Sequence, residues 1–207
     1  TQEHIDDVRV MTNISTGKLG AIIANKFSEI PFLRVYYLCG KNSQMPNNNC
    51  YYVQTVRSAK DAMIAMEQII TREQIDIVIH SMAVSDFTFN RDNPVKCKSS
   101  DPEAFIEFMR KTIVPNPKII SMIKQWRPEV FLVGFKFEVG LTNEELIALA
   151  NESIQKNKCD IVIANDKKEM ERHNSHIAYF VFTEDVKEYF GNQIVKVTSK
   201  EEIAETL

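Results

Sequence analysis

The sequence predicts an α/β fold: a Rossmann-like, mostly parallel sheet with helices on both faces. Two short runs carry this reading. Residues 75–79 (Ile-Asp-Ile-Val-Ile) and 160–164 (Asp-Ile-Val-Ile-Ala) are almost wholly apolar, the composition of strands buried on both faces of a parallel sheet. Each follows a segment of helical period, 58–72 and 142–157. Repeated β-α-β units of this kind imply parallel strands joined by crossover helices. A chain of 207 residues, 44% hydrophobic and 26% charged, is long enough for one large core. There is no internal repeat and no low-complexity linker, so residues 1–207 are expected to form a single domain.

The elements follow in order. Residues 9–20 (Arg-Val-Met-Thr-Asn-Ile-Ser-Thr-Gly-Lys-Leu-Gly) read as a short segment, a small-residue turn and the start of a helix that buries Leu19, Ile22, Ile23 and Phe27. Thr12, Asn13, Ser15 and Thr16 are helix-capping types. A helix start with free N–H groups also suits a phosphate. The Asn13 amide both donates and accepts, so it fits a cap or the holding of a carboxylate or oxyanion. Residues 33–38 and 51–55 read as strands. Residues 58–72 read as a helix capped by Ser58 with Asp61 in its first turn, and 75–79 as a buried strand. Residues 116–126 are expected to be helical with Pro117 in the first position, and 129–135 to be a strand. Residues 142–157 carry the capping-box pair Thr142 and Glu145. After the strand at 160–164, residues 176–182 and 193–197 form a C-terminal hairpin, and 199–207 a last helix. Two stretches interrupt the alternation. Residues 40–49 are a polar, Asn-rich loop, and 87–111 read as a lid or dimerisation insertion.

Composition removes several function classes. The net charge is −3 with no basic stripe, which argues against nucleic acid. No run is apolar enough to cross a membrane and no signal peptide stands at Thr1, so a cytoplasmic location is expected. Cys39, Cys50, Cys97 and Cys159 form no C-x-x-C pair and read as reduced, mostly buried thiols. No metal-ligand set is evident.

In doubly wound sheets the ligand lies beyond the carboxyl ends of the strands. Polar residues gather there: residues 80–87 (His-Ser-Met-Ala-Val-Ser-Asp-Phe), 136–138 (Lys-Phe-Glu) and 165–167 (Asn-Asp-Lys). Taken with the turn at 9–20, with Lys96-Cys97-Lys98-Ser99, with Asn116-Pro117-Lys118-Ile119-Ile120 and with Gly134-Phe135, these motifs occur in an order that resembles phosphopantothenoylcysteine synthetase, the phosphopantothenate–cysteine ligase of coenzyme A synthesis. The likeness spans nearly the whole chain. Without a flavin-decarboxylase half it resembles the free-standing bacterial form. The resemblance also implies a first strand and glycine turn ahead of Thr1.

The resemblance implies the chemistry. The carboxylate of phosphopantothenate attacks the α-phosphate of CTP, pyrophosphate leaves, and cysteine then displaces CMP from the acyl-cytidylate. Mg²⁺ accompanies the triphosphate. It assigns Asn13 and Lys96 as catalytic. Asn13 would bind the carboxylate and the tetrahedral oxyanion, and Lys96 would close over the triphosphate. It assigns the nucleotide to Asp86 (ribose), Lys96, Pro117, Lys118, Ile119, Ile120, Phe135 (base) and Lys156. Arg9, Asn13 and Ala83 fall on the phosphopantothenate side. A homodimer is implied, with the 87–111 arm reaching the partner. One departure stands out: a second basic residue usual one turn before Lys156 is Glu152 here, which leaves CTP-over-ATP preference open. Two other readings remain. One is a nucleotide-binding homologue without catalysis. The other is an NAD(P)-dependent Rossmann oxidoreductase, for which Tyr37 and Lys41 have the Tyr-x-x-x-Lys spacing, though that spacing works only on a helix.

Overall fold

The computed structural model describes residues 1–47, 49–90, 101–191 and 194–207. The described elements run β1 (Gln2–His4), β2 (Val10–Thr12), α1 (Lys18–Ser28), β3 (Tyr36–Gly40), β4 (Tyr52–Val56), α2 (Ala59–Arg72), β5 (Ile77–His80) and β6 (Phe87–Phe89). They continue with α3 (Pro102–Thr112), β7 (Ile113–Pro115), α4 (Ile120–Trp126), β8 (Phe131–Glu138), α5 (Asn143–Asn157) and β9 (Ile161–Asp166). The last are α6 (Lys167–His173), β10 (Ala178–Phe182), α7 (Glu184–Lys187), β11 (Val195–Val197) and α8 (Lys200–Thr206).

The main sheet has the order β5–β8–β9–β10–β11. β5, β8 and β9 are parallel, and β10 and β11 close the edge as the antiparallel C-terminal hairpin. Helices cover both faces, and the period-two alternation of the strands sorts the side chains between them. Val162 and Ala164 of β9, with Tyr179 and Val181 of β10, pack against Ile70 of α2, Ile123 of α4 and Leu146, Ala150 and Ile154 of α5. Ile161, Ile163, Ala178, Phe180 and Phe182 face Ile23 of α1 and Ile203 and Ala204 of α8. Each fully buried Leu, Ile or Val side chain contributes about 1.5–3 kcal/mol, which is why the central runs are apolar on both sides. β3 and β4 form a separate parallel pair, in register from Tyr36 opposite Tyr52 to Gly40 opposite Val56.

Local signals explain where most helices begin. Ser58 Oγ accepts from Asp61 N at 3.0 Å while Asp61 Oδ2 accepts from Ser58 N at 3.0 Å, a closed capping box on α2. Thr142 and Glu145 repeat it on α5. Four expectations are corrected. The helix at 116–126 starts only at Ile120, and Pro117 lies outside it. Asn116 stands between Pro115 and Pro117, and a residue before proline disfavours the α conformation. Its amide is instead held by Asp86 O at 2.8 Å and its side chain by Ser85 O at 3.0 Å. The strand at 33–38 is displaced to Tyr36–Gly40, because pairing begins only where β4 lies opposite. The run at 75–79 is not a strand buried on both faces: Ile77–His80 pairs on one side only among the described strands and lines the cleft, with Ile77 46% exposed. The described parts of 87–111 carry regular structure. β6 pairs antiparallel with β7, and Asp101 caps α3 through a 2.9 Å bond from Ala104 N, with Pro102 at the first helical position. The Asp-Pro signature of that helix was readable in the sequence. No helix among the described residues is long and apolar enough to cross a membrane.

Candidate active site at the carboxyl ends of the strands

A cleft of about 1600 Å³ runs between β3 and β5 and opens where their carboxyl ends meet the turn before α1, the 81–86 loop, the start of α4 and the inner face of α5. β3 and β5 each turn an edge toward it, since β3 pairs with β4 and β5 with β8 among the described strands.

α1 begins at Gly17, with φ of 74° and no side-chain cap. The expected Thr, Ser and Asn caps therefore do not form. The nearest approach is a weak 3.4 Å contact from Lys18 N to Thr16 Oγ1. Gly17 is required on two counts. Its backbone is left-handed, and a Cβ there would stand 2.6 Å from Ser43 Cβ. The loop after β3 packs on this turn through Gln44 N donating to Thr16 O at 2.8 Å. The first residues of α1 thus line the cleft with only that weak contact to a side-chain acceptor, an arrangement that suits an anion.

Asn13 projects from the end of the β1–β2 hairpin. Its Nδ2 donates to Ala83 O at 3.1 Å, which fixes the amide against the 81–86 loop. Oδ1 and the second N–H line the cleft, since Asn13 is exposed and no other side-chain bond engages them among the described residues. Across the mouth, Lys118 Nζ donates to Asp86 Oδ1, and both side chains are more than half exposed. Phe135 of β8 is half-buried between the α1-side core and the cleft. Lys156 and Glu152 sit one turn apart on α5 and both line the cleft. So Asn13, Ala83, Asp86, Pro117, Lys118, Ile119, Ile120, Phe135 and Lys156 meet in one cavity.

Arg9 does not. Its guanidinium lies 5.2 Å from the Phe105 ring centroid and 3.6 Å from Asp6, outside the cleft lining. Lys96 and Cys97 lie outside the described residues. Lys18, Ser81, Asn116, Lys136 and Lys167 also line the cleft. In the sequence Ser81, Lys136 and Lys167 stand out only as members of the strand-end runs, and Lys18 only as a member of the 9–20 motif.

Burial pushes the His80 imidazole down to about 4, so it is neutral at physiological pH, and its enclosed Nδ1 has no hydrogen-bond partner among the described residues. Burial pushes the Tyr37 hydroxyl up to about 12, and it donates to Gln44 O at 3.0 Å. Tyr37 lies on a strand and Lys41 in the turn after it, so the pair does not share a helix face and the oxidoreductase reading loses its geometry. Cys159 is buried and pushed up to about 12, and Cys39 is raised by burial as well. Neither thiol is poised as a nucleophile. Cys39, Cys50 and Cys159 are all free thiols.

Comparison with known proteins places this geometry. Residues 1–207 match the family model of the DNA/pantothenate metabolism flavoprotein C-terminal domain. The chain is 33% identical over 213 residues to the coenzyme A biosynthesis bifunctional protein CoaBC of Thermococcus kodakarensis, covering all of this chain and 47% of that protein. It is 29% identical over 208 residues to the CoaBC protein of Methanocaldococcus jannaschii, again covering all of this chain and 47% of the relative. It therefore spans about half the length of these curated relatives. The solved DNA/pantothenate metabolism flavoprotein from Streptococcus pneumoniae superposes with a TM-score of 0.78 at 31% identity, covering 100% of this chain and 92% of that one.

Proposed function

The chain belongs to the family of the DNA/pantothenate metabolism flavoprotein C-terminal domain, and from that premise we propose that it is the ligase that joins phosphopantothenate to cysteine in coenzyme A synthesis. The observation that carries the reading is the convergence of Asn13, Asp86, Phe135 and Lys156, far apart in sequence, on one cleft at the carboxyl ends of the parallel strands.

The reaction has two displacements. A carboxylate oxygen of phosphopantothenate forms a bond to the α-phosphorus of CTP, and the bond to pyrophosphate breaks. The cysteine amine then forms a bond to the acyl carbon, loses a proton, and CMP leaves. The protein supplies position and electrostatics, not a covalent nucleophile. Asn13, held by Ala83 O, presents its free N–H to the carboxylate and then to the tetrahedral oxyanion. The open amides of α1 face the phosphates. Asp86, braced by Lys118, accepts from the ribose hydroxyls, and the 117–120 backbone and Phe135 flank the base. Lys156 and Lys96 carry positive charge to the triphosphate. Ala83 lines the phosphopantothenate side. Arg9, set back from the cleft, orders that side through Asp6.

No group of three or more His, Cys, Asp or Glu able to hold a metal occurs among the described residues. The lysine, amide and hydroxyl donors of the cleft fit Mg²⁺ brought in on triphosphate oxygens better than an all-protein metal cage. When bound there it would neutralise phosphate charge. Glu152 faces the cleft beside Lys156. Its charge opposes a triphosphate, and it is the residue at which preference between CTP and ATP is expected to be set. A homodimer is also proposed, with the β6–β7 ribbon and α3 as its arm. Ile106, Phe87 and Ile113 there are 50%, 47% and 39% exposed, more apolar surface than a ribbon of this length keeps in water without a partner.

The test is pyrophosphate release with phosphopantothenate and Mg²⁺, CTP against ATP, with and without cysteine. The reading expects release that needs phosphopantothenate, an acyl-nucleotide without cysteine and the amide with it. No release with either nucleotide would put the non-catalytic homologue in its place. A monomer mass at working concentration, together with full activity, would remove the dimer.

A further inference from the structure

Glu3 is 2% exposed yet is neither in the cleft nor part of an ion pair among the described residues. A buried carboxylate is costly unless both oxygens are satisfied, and here each oxygen holds a different element. Oε1 accepts from Ala59 N, the first amide of α2, at 2.7 Å. Oε2 accepts from Thr88 Oγ1, in the middle of β6, at 2.7 Å.

The topology gives these two bonds a consequence for the site. Glu3 lies on β1, opposite Met11 on β2, and β2 leads directly into Asn13. Thr88 lies on β6, opposite Val114 on β7. At one end of that β6–β7 ribbon Asp86 enters β6 and Asn116, Pro117 and Lys118 leave β7, and Asn116 N donating to Asp86 O at 2.8 Å closes this end. One side chain therefore joins the hairpin that carries Asn13 to the ribbon that carries Asp86 and Lys118, and seats both on the start of a 14-residue helix, whose dipole favours the negative charge.

We propose that Glu3 is a positioning residue, held by Thr88, which sets the separation between the acyl-binding side of the cleft at Asn13 and the nucleotide-binding side at Asp86 and Lys118. This rests on the proposed ligase reading. Each half of the site stays intact when the tie is cut. What changes is the distance across which the carboxylate must meet the α-phosphate, and small misplacements of reacting groups carry large rate penalties.

Thr88→Val is the sharp test, because it keeps the side-chain shape and removes only the hydroxyl that reaches Glu3. We expect kcat for pyrophosphate release to fall by about 10- to 100-fold. KM for nucleotide and for phosphopantothenate should each stay within about twofold, the pattern of an interaction realised in the transition state. Thr88→Ser should restore the rate. A purely structural role would lower the unfolding midpoint and leave kcat at a permissive temperature near the wild-type value, and that result would overturn the proposal. So would a rise in either KM with kcat unchanged. Amide hydrogen exchange gives a readout independent of activity. Thr88→Val should lose protection at Asn116 and at the β6 and β7 amides, with α5 unaffected. Unchanged protection there would overturn the tie even if the wild-type chain released no pyrophosphate, whereas an inactive wild type with lost protection in the variant would refute the ligase reading alone.

Discussion

Asn13→Asp separates the two chemical steps. Among the described residues the side chain makes one intramolecular bond, Nδ2 to Ala83 O at 3.1 Å, and is exposed. Aspartate sets an acceptor against that carbonyl and removes the second N–H. Because the site is open to water, the fold should lose no more than about 1 kcal/mol, so a change in activity will not report unfolding. The chemical cost is larger. Loss of one oriented oxyanion donor removes about 3–4 kcal/mol of transition-state stabilisation, a factor of about 100 to 1000, and a negative charge beside the developing oxyanion adds to it. The nucleotide side, with Asp86, Lys118, Phe135 and Lys156, is untouched. Pyrophosphate should therefore still be released, in a burst of one equivalent per site, while the acyl-nucleotide accumulates and the amide forms slowly. Rapid quench with mass detection of the acyl-nucleotide, beside a thermal melt of the variant, measures all three. Amide formation at the wild-type rate would refute the role given to Asn13. Loss of pyrophosphate release in a folded variant would move that role to the first step.

Lys96→Gln should slow activation by about 2–4 kcal/mol of transition-state stabilisation, read as initial pyrophosphate release; an unchanged rate would make Lys96 an ordinary solvated charge. Gly17→Ala forces a left-handed φ of 74° on a residue with a Cβ placed 2.6 Å from Ser43 Cβ. It should cost at least about 1–2 kcal/mol in urea unfolding, and an unaltered midpoint would show that the turn is not held as described. His80 gives a pH signature. Its native value of about 4 lies below the ordinary 6.5 because of burial, so between those values the unfolded chain binds a proton that the native chain refuses. The stability this contributes is complete above pH 6.5 and is lost as pH falls toward 4, up to about 3 kcal/mol. His176, also lowered by burial, acts with the same sign in both proteins, so the comparison is of wild type with His80→Gln at pH 7 and pH 4.5. Equal losses in the two would refute the assignment.

The parallel centre of the sheet was legible because its strands are buried on both faces. Residues 160–164 have to be apolar for that reason, whereas 75–79 forms the edge strand β5, where Ile77 is 46% exposed. The capping boxes at Ser58 and Thr142 are short-range chemistry that needs no distant partner. Nine of the residues that the ordered motifs single out line one cleft. What failed were judgements that depended on neighbours distant in sequence. The start of α4 was misplaced because Asn116 is captured by Asp86 and Ser85, some thirty residues away. The caps of α1 did not form because Gly17 must be left-handed to let the loop at Ser43 pack on it.

Periodicity, capping and composition act over a few residues, and so the α/β alternation, the burial of the 160–164 strand and the motifs that mark the family are local properties of the chain. That Arg9 stands back from the cleft, that Asp86 is braced by Lys118, and that the buried carboxylate of Glu3 joins β1, α2 and β6 emerge only on folding. Those contacts span from about thirty to more than eighty positions of chain, and a side chain's partner at such range is fixed by packing geometry, which no local pattern encodes.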